Sequence, residues 1–77
     1  MIKNLNLATG PIVHIRFNGL SRDVALASLG LRAFAGDADL KHAIARYLDV
    51  NVTTLADHVL ERHASGNVTL RPEAVFG

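Results

Sequence analysis

Ile12 to Phe17 reads Ile-Val-His-Ile-Arg-Phe, and Asn18-Gly19 follows at once. Val13, Ile15 and Phe17 fall on one side of an extended chain, with His14 and Arg16 on the other. That period of two, carried by β-branched residues, is the mark of a half-buried strand. Asn-Gly is the dipeptide best suited to the positive φ angles of a tight hairpin turn. A hairpin follows, and with it a sheet. The returning strand is predicted at Arg22 to Leu26, where Val24 and Leu26 face the same core as Val13 and Ile15 while Asp23 and Ala25 point outward. A helix competes for this stretch, with Ser21 as its N-cap and Val24, Ala27, Leu31 and Phe34 on one face. Gly30 would cost that helix about 1 kcal/mol. Turn signal and alternation agree on the strand, which leaves Ala27 to Gly36 as a connection.

The next element is a helix, predicted from Ala38 to Leu48. Asp37 or Asp39 is placed to cap it, because a carboxylate accepts orphan amide protons and suits the positive end of the helix dipole. Leu40, Ala43, Ile44 and Tyr47 or Leu48 recur at helical spacing and form an apolar stripe. Asp37 and Lys41, four residues apart, add a weak surface pair. Asp49 stands at the unfavourable negative end and stops the helix, and Val50 and Val52 begin a β-prone connection.

The stretch from Thr54 to Asn67 supports two readings. For a helix, Thr54 and Asp57 resemble a capping box, Val59 and Leu60 face inward, and Gly66 terminates. For a strand at His58 to His63, Ala64-Ser65-Gly66-Asn67 is a turn leading into Val68 to Arg71, an alternating strand that Pro72 ends. Within Asp57 to Ala64 local propensity leans to helix, since Leu, Glu, Arg and Ala outnumber the one β-branched residue, Val59. The last strand, however, needs a partner for its backbone groups, and an antiparallel neighbour across a tight turn provides one. The polar residues of this segment also suit an edge strand. We therefore expect strand.

With that strand the order is hairpin, helix, hairpin, and the chain resembles the β-grasp fold of ubiquitin-like proteins and small immunoglobulin-binding domains from Ile12 to about Arg71. Leu40-Lys41 and Ile44, then Val50, are similar in spacing to the ubiquitin helix and its exit. The expected fold is an α+β, ββαββ β-grasp-like sheet of four strands with one helix. Ubiquitin-like carriers end in Gly-Gly, whereas this chain ends Ala74-Val75-Phe76-Gly77. Activation at Gly77 is accordingly a third-ranked reading. With a helix instead, Ile44 to Val50 followed by Thr54-Leu55 resembles the helix-turn-helix of bacterial repressors of the Lac and Tet types. That resemblance implies a DNA-binding regulator, with Thr53, Thr54, His58 and Arg62 as base or phosphate contacts. It departs from the motif at Asp49, where Gly is usual, and Asp57 and Glu61 would bring negative charge towards phosphates.

Seventy-seven residues make one small domain, of a size that buries about 60% of its unfolded surface. We assign residues 1–11 to a loosely attached lead-in, 12–72 to the globular domain and 73–77 to a short tail. The chain is 49% hydrophobic and 19% charged, with aromatics only at Phe17, Phe34, Tyr47 and Phe76, so Val, Ile, Leu and Ala must build the core. It contains no cysteine, which excludes disulfides, thiolate metal sites and thiol nucleophiles. No apolar run approaches the ~20 residues of a membrane span, and Met1 to Thr9 has neither a basic start nor an apolar signal core. A cytoplasmic protein without a membrane partner is expected. Eight Lys and Arg against seven Asp and Glu, scattered singly, form no electrostatic footprint for nucleic acid in the sequence itself.

No catalytic constellation, metal set or cofactor motif emerges. His58 and His63 are five residues apart and diverge on either a helix or a strand, and Ser21, Ser28 and Ser65 lack a nucleophile motif. The leading expectation is a non-enzymatic protein-interaction module, with a homodimer through a sheet edge as one form. Candidate partner-binding residues are Val75, Phe76 and Gly77 in the tail, and Arg62 and His63 near the sheet edge. For Val75 and Phe76, covering the domain's own core is the favoured role over docking.

Overall fold

The structure, a computed structural model, describes residues 10–31 and 35–73. The lead-in up to Thr9 and the tail residues Val75, Phe76 and Gly77 lie outside the described residues. Strand β1 (Ile12–Phe17) turns back into β2 (Leu20–Ala25) through Asn18 and Gly19, with φ 54° and 81°. Two consecutive positive φ angles are those of the turn that matches the twist of paired strands. A 3-10 helix, Leu26–Leu29, follows and ends at Gly30 with φ 75°. Helix α1 (Asp37–Leu48) comes next, then a second 3-10 helix (Val52–Leu55), β3 (His58–Arg62) and β4 (Val68–Pro72).

The four strands lie in the order β2-β1-β4-β3, antiparallel except for the central pair β1 and β4. This is the α+β, ββαββ β-grasp-like arrangement, and the helix-turn-helix alternative is not formed. Its second helix would occupy residues that instead pair with β4, from His58 opposite Pro72 to Arg62 opposite Val68. The helical propensity around Thr54 is expressed as a single 3-10 turn. Asn51 caps that turn, its side-chain oxygen accepting from the Thr53 amide at 3.0 Å. The β3–β4 turn spans Ala64, Ser65 and Gly66. The His63 amide donates to the Asn67 carbonyl at 2.9 Å, and Gly66, with φ 96°, takes the left-handed position.

One face of the sheet and one face of α1 enclose the core. Val13 and Ile15 from β1, Val68 and Leu70 from β4, Leu40, Ile44 and Ala45 from α1, and Leu26 and Leu55 from the 3-10 helices are buried together. Each buried Leu or Ile is worth about 1.5–3 kcal/mol in removed apolar surface. The central pair is also tied at its open end, where the Ile12 amide donates to Asn67 Oδ1 at 2.9 Å.

Several local expectations are corrected. The second strand begins two residues early and ends one early, at Ala25, and Leu26 reaches the core from the 3-10 helix rather than from the strand. Gly36, with no side-chain cap, precedes α1, and Asp37 is its first helical residue. Asp37 does not turn to Lys41 but to Arg62 of β3, whose Nη2 donates to Asp37 Oδ1 and to the Ala35 carbonyl, each at 2.7 Å. A planar guanidinium with five donors holds both acceptors at once, Nε adding a longer contact to the same carboxylate oxygen at 3.3 Å. Asp49, at φ 60°, closes the helix: its amide donates to Arg46 and that of Val50 to Ala45, which are the paired bonds of a left-handed helix stop. Leu48 packs against the core, whereas Tyr47 is 43% exposed.

Arg62 therefore fastens the start of α1 to the far strand of the sheet. Arg62→Ala is expected to lower stability by about 1 kcal/mol, a partly exposed ion pair plus one hydrogen bond to a carbonyl. Urea unfolding reads the loss, and amide exchange in the first turn of α1 should rise with it. A change below about 0.3 kcal/mol would show that the bridge contributes nothing.

Candidate functional site

Alternation along the strands sends half of their side chains to the face away from α1. There, pairing sets Asp23, His14, Thr69 and Glu61 in one row across all four strands. His14 Nδ1 lies 2.8 Å from Asp23 Oδ1. Arg71 reaches Glu61 from one step along β4, Nε to Oε1 at 3.0 Å and Nη2 to Oε2 at 3.2 Å. His63 Nε2 meets Thr69 Oγ1 at 2.8 Å. This face is a polar surface whose groups largely satisfy one another.

The His14–Asp23 pair has the form that orients an imidazole base in hydrolytic triads. Its surroundings do not extend the likeness. The pair stands on an open strand surface, Thr69 is engaged by His63, and two clefts beside α1 lined by described residues do not include it. One of those clefts, about 350 Å³, lies between the first 3-10 helix and α1, with Ser28, Gly30, Arg46 and Tyr47 in its lining. The other, about 400 Å³, lies at the C-terminal end of α1, with His42, Arg46 and Asp49. Ser28 has no histidine beside it in the first. In the second, His42 is occupied, Nδ1–H donating to the Ala38 carbonyl at 2.9 Å. Among the described residues, no group of three or more His, Cys, Asp or Glu side chains converges on a metal position.

His58, a residue that the sequence places on a polar edge, is instead buried on the core side of β3. Its ring lies 5.5 Å from that of Phe17, its Nδ1 is 3.0 Å from Asp57 Oδ1, and its Nε2 has no hydrogen-bond partner among the described residues. The signal for this was its parity with Leu60, two residues on. Thr53 and Thr54 sit exposed on the second 3-10 helix, and Arg62 is bound to Asp37. The four residues named as DNA contacts thus lie two on the second 3-10 helix and two on β3, and no recognition helix joins them. Arg62 and His63, named as partner-binding residues, lie together at the end of β3.

Among the described residues, the two outer strands are where backbone groups remain to be used. In the β1–β2 hairpin the two-residue turn makes Phe17 and Leu20 a hydrogen-bonded pair, and such pairs alternate along an antiparallel ladder. The backbones of Leu20, Arg22 and Val24 therefore face β1, and those of Ser21, Asp23 and Ala25 face outward. In the β3–β4 hairpin the bonded pairs are His63 with Asn67 and then Glu61, Val59 and Asp57 with their opposites. The Glu73 amide donates to the Asp57 carbonyl at 2.9 Å, consistent with this phase. His58, Leu60 and Arg62 face outward. Pro72 sits opposite His58 in a pair without ladder bonds, so its missing N–H costs nothing there.

No protein-family model matches the chain, and neither the curated proteins nor the solved structures yield a similar one. No helix among the described residues is long and apolar enough to cross a membrane.

Electrostatics single out Glu61 and Arg71. Arg71, by hydrogen bond first and by charge second, holds the Glu61 carboxyl below its ordinary value, and Glu61 raises Arg71 in return. A carboxylate depressed on folding adds stability above its unfolded pKa and loses it as pH falls through the folded one. In Arg71→Gln, the Glu61 midpoint should rise towards the ordinary carboxylate range, and most of its contribution to acid unfolding should vanish. Carbon-detected NMR titration of the Glu61 carboxyl follows this directly; a wild-type midpoint at or above the ordinary value would contradict the pairing.

Proposed function

We propose that this chain is a protein-interaction module that accepts an extended segment of a partner protein on the edge of β2. The observation that carries this reading is the state of that edge. Leu20 to Asp23 are all exposed, and Leu20, an apolar residue, is 46% exposed. Ser21, Asp23 and Ala25 direct their amides and carbonyls outward at the spacing that a partner strand requires.

Edge strands of monomeric proteins are ordinarily protected by charged side chains, Lys above all, or by Pro, a bulge or a covering element. β2 carries neither Pro nor Lys, and its register with β1 is unbroken from Ile12–Ala25 to Phe17–Leu20. Of its two charges, Asp23 is held by His14 on the outer face. Main-chain bonds to an incoming strand supply affinity, and side chains on its two faces supply selectivity. On the helix side those side chains would meet Leu20, Arg22 and Val24; on the other, Ser21, Asp23 and Ala25.

Peptides selected from a random library against the folded domain test this reading. Binding should shift the amides of Ser21, Asp23 and Ala25 most. Ser21→Pro removes an outward N–H that the domain's own ladder does not use, so it should keep the fold while weakening binding at least roughly tenfold, the equivalent of one lost backbone hydrogen bond. Ligands that map to a cleft beside α1, or that bind Ser21→Pro unchanged, would refute it.

A further inference from the structure

The opposite edge fits a different occupant. We infer that β3 pairs with β3 of a second copy, antiparallel, about a two-fold axis through Leu60. The two four-stranded sheets then become one continuous sheet, with both helices on the same face.

Two-fold symmetry dictates the contacts, because it sets each residue opposite one whose number completes the same sum. With Leu60 on the axis, Leu60 faces Leu60, His58 faces Arg62 and Val59 faces Glu61, so all five residues of β3 are paired. One step beyond, the acidic Asp57 faces His63. No charge meets its like. Arg62 is already held by Asp37 and the Ala35 carbonyl of its own chain, which draws its guanidinium away from the facing His58. The outward-facing backbones of β3 are those of His58, Leu60 and Arg62, which are the residues this register joins as hydrogen-bonded pairs. Among the described residues, no backbone hydrogen bond from a turn or loop occupies them. Leu60, half-buried against the core, gains an apolar neighbour under the two helices.

The edge of β2 fails the same test. Its outward residues are Ser21, Asp23 and Ala25, and the two symmetric registers that pair five of its residues centre on Arg22 or on Asp23. Each puts a charge against its own copy, which disfavours that pairing. One edge thus matches a second copy, and the other resists it and stays available to an unlike strand. The β3 pairing stands independently of the β2 reading, since the two use opposite edges.

The test is the intact chain at rising concentration. Sedimentation equilibrium should give a monomer–dimer equilibrium. In a mixture of carbon-13-labelled and unlabelled protein, a contact between the Hα atoms of Val59 and Glu61 should appear across copies, because residues of a pair without ladder bonds bring their Hα atoms together. The informative variant is V59E. Within the chain it stands opposite Arg71, so the fold should be retained, but in the dimer it faces Glu61 twice. Its dimer dissociation constant should rise roughly 5- to 10-fold, as two opposed like-charge pairs require. A wild type that stays monomeric up to about 1 mM, a dimer without the Val59–Glu61 contact, or an unchanged V59E constant would overturn the proposal. The wild-type contact decides the matter even if V59E folds poorly.

Discussion

The parallel pairing of β1 with β4 is the interaction on which the rest depends. Val13 lies beside Val68, His14 beside Thr69 and Ile15 beside Leu70, residues separated by most of the chain. Parallel neighbours cannot be joined by a tight turn and need a long crossover. Here the crossover contains α1, and α1 in turn supplies Leu40, Ile44 and Ala45 to cover the same strands. The element that makes the connection also completes the core. Without it, two isolated hairpins would each be marginal in water. Polar bonds at the margin of that core add to it: Asn67 to Ile12 at the open end of the pair, and Arg62 to Asp37 between β3 and α1.

Placing β1 and β4 at the centre also fixes which strands lie at the edges. The outer strands are the second strand of the first hairpin and the first of the second, and turn geometry decides which of their backbone groups face outward. The proposed function rests on this arrangement. The polar face is occupied by its own ion pairs and hydrogen bonds, and the clefts beside α1 bring no nucleophile and base together. Among the described residues, main chain on the two outer strands remains unused. In β2 it is bordered by Arg22 and Asp23, in β3 by a segment that complements itself. That difference in side chains is why we propose different partners for the two edges.

Much of this was legible in the sequence wherever the deciding information is local. The alternation of Ile12 to Phe17, Asn18-Gly19, the Leu40, Ala43 and Ile44 stripe and the Val68 strand each carry their structure within a few residues. The strand at His58 was legible only by counting what Val68 to Pro72 needed, since Leu60, Glu61 and Arg62 favour helix on their own. Non-local features left no trace. Nothing near Asp37 indicates that its carboxylate serves Arg62, twenty-five residues away, rather than capping its own helix or pairing with Lys41. The burial of His58 was obscured by its polar character, and the departure of Leu26 into a 3-10 helix by a β-prone run that continues past Val24. Of the candidate site, Arg62 and His63 were named from the sequence. The β2 edge could be recognised only once the strand order placed β1, and not β2, inside the sheet.

Amide hydrogen exchange, measured residue by residue on dilute protein, tests this account most directly. The account predicts slow exchange at Val13, Ile15 and Leu70, and an alternating pattern at the edges. Leu20, Arg22 and Val24 should be protected while Ser21, Asp23 and Ala25 exchange freely. In β3, Val59 and Glu61 should be protected while His58, Leu60 and Arg62 are not. Uniform protection along β2, or protection of Ser21 and Asp23 in preference to Arg22, would mean that the register or the open edge is wrong, and the functional reading would fall with it.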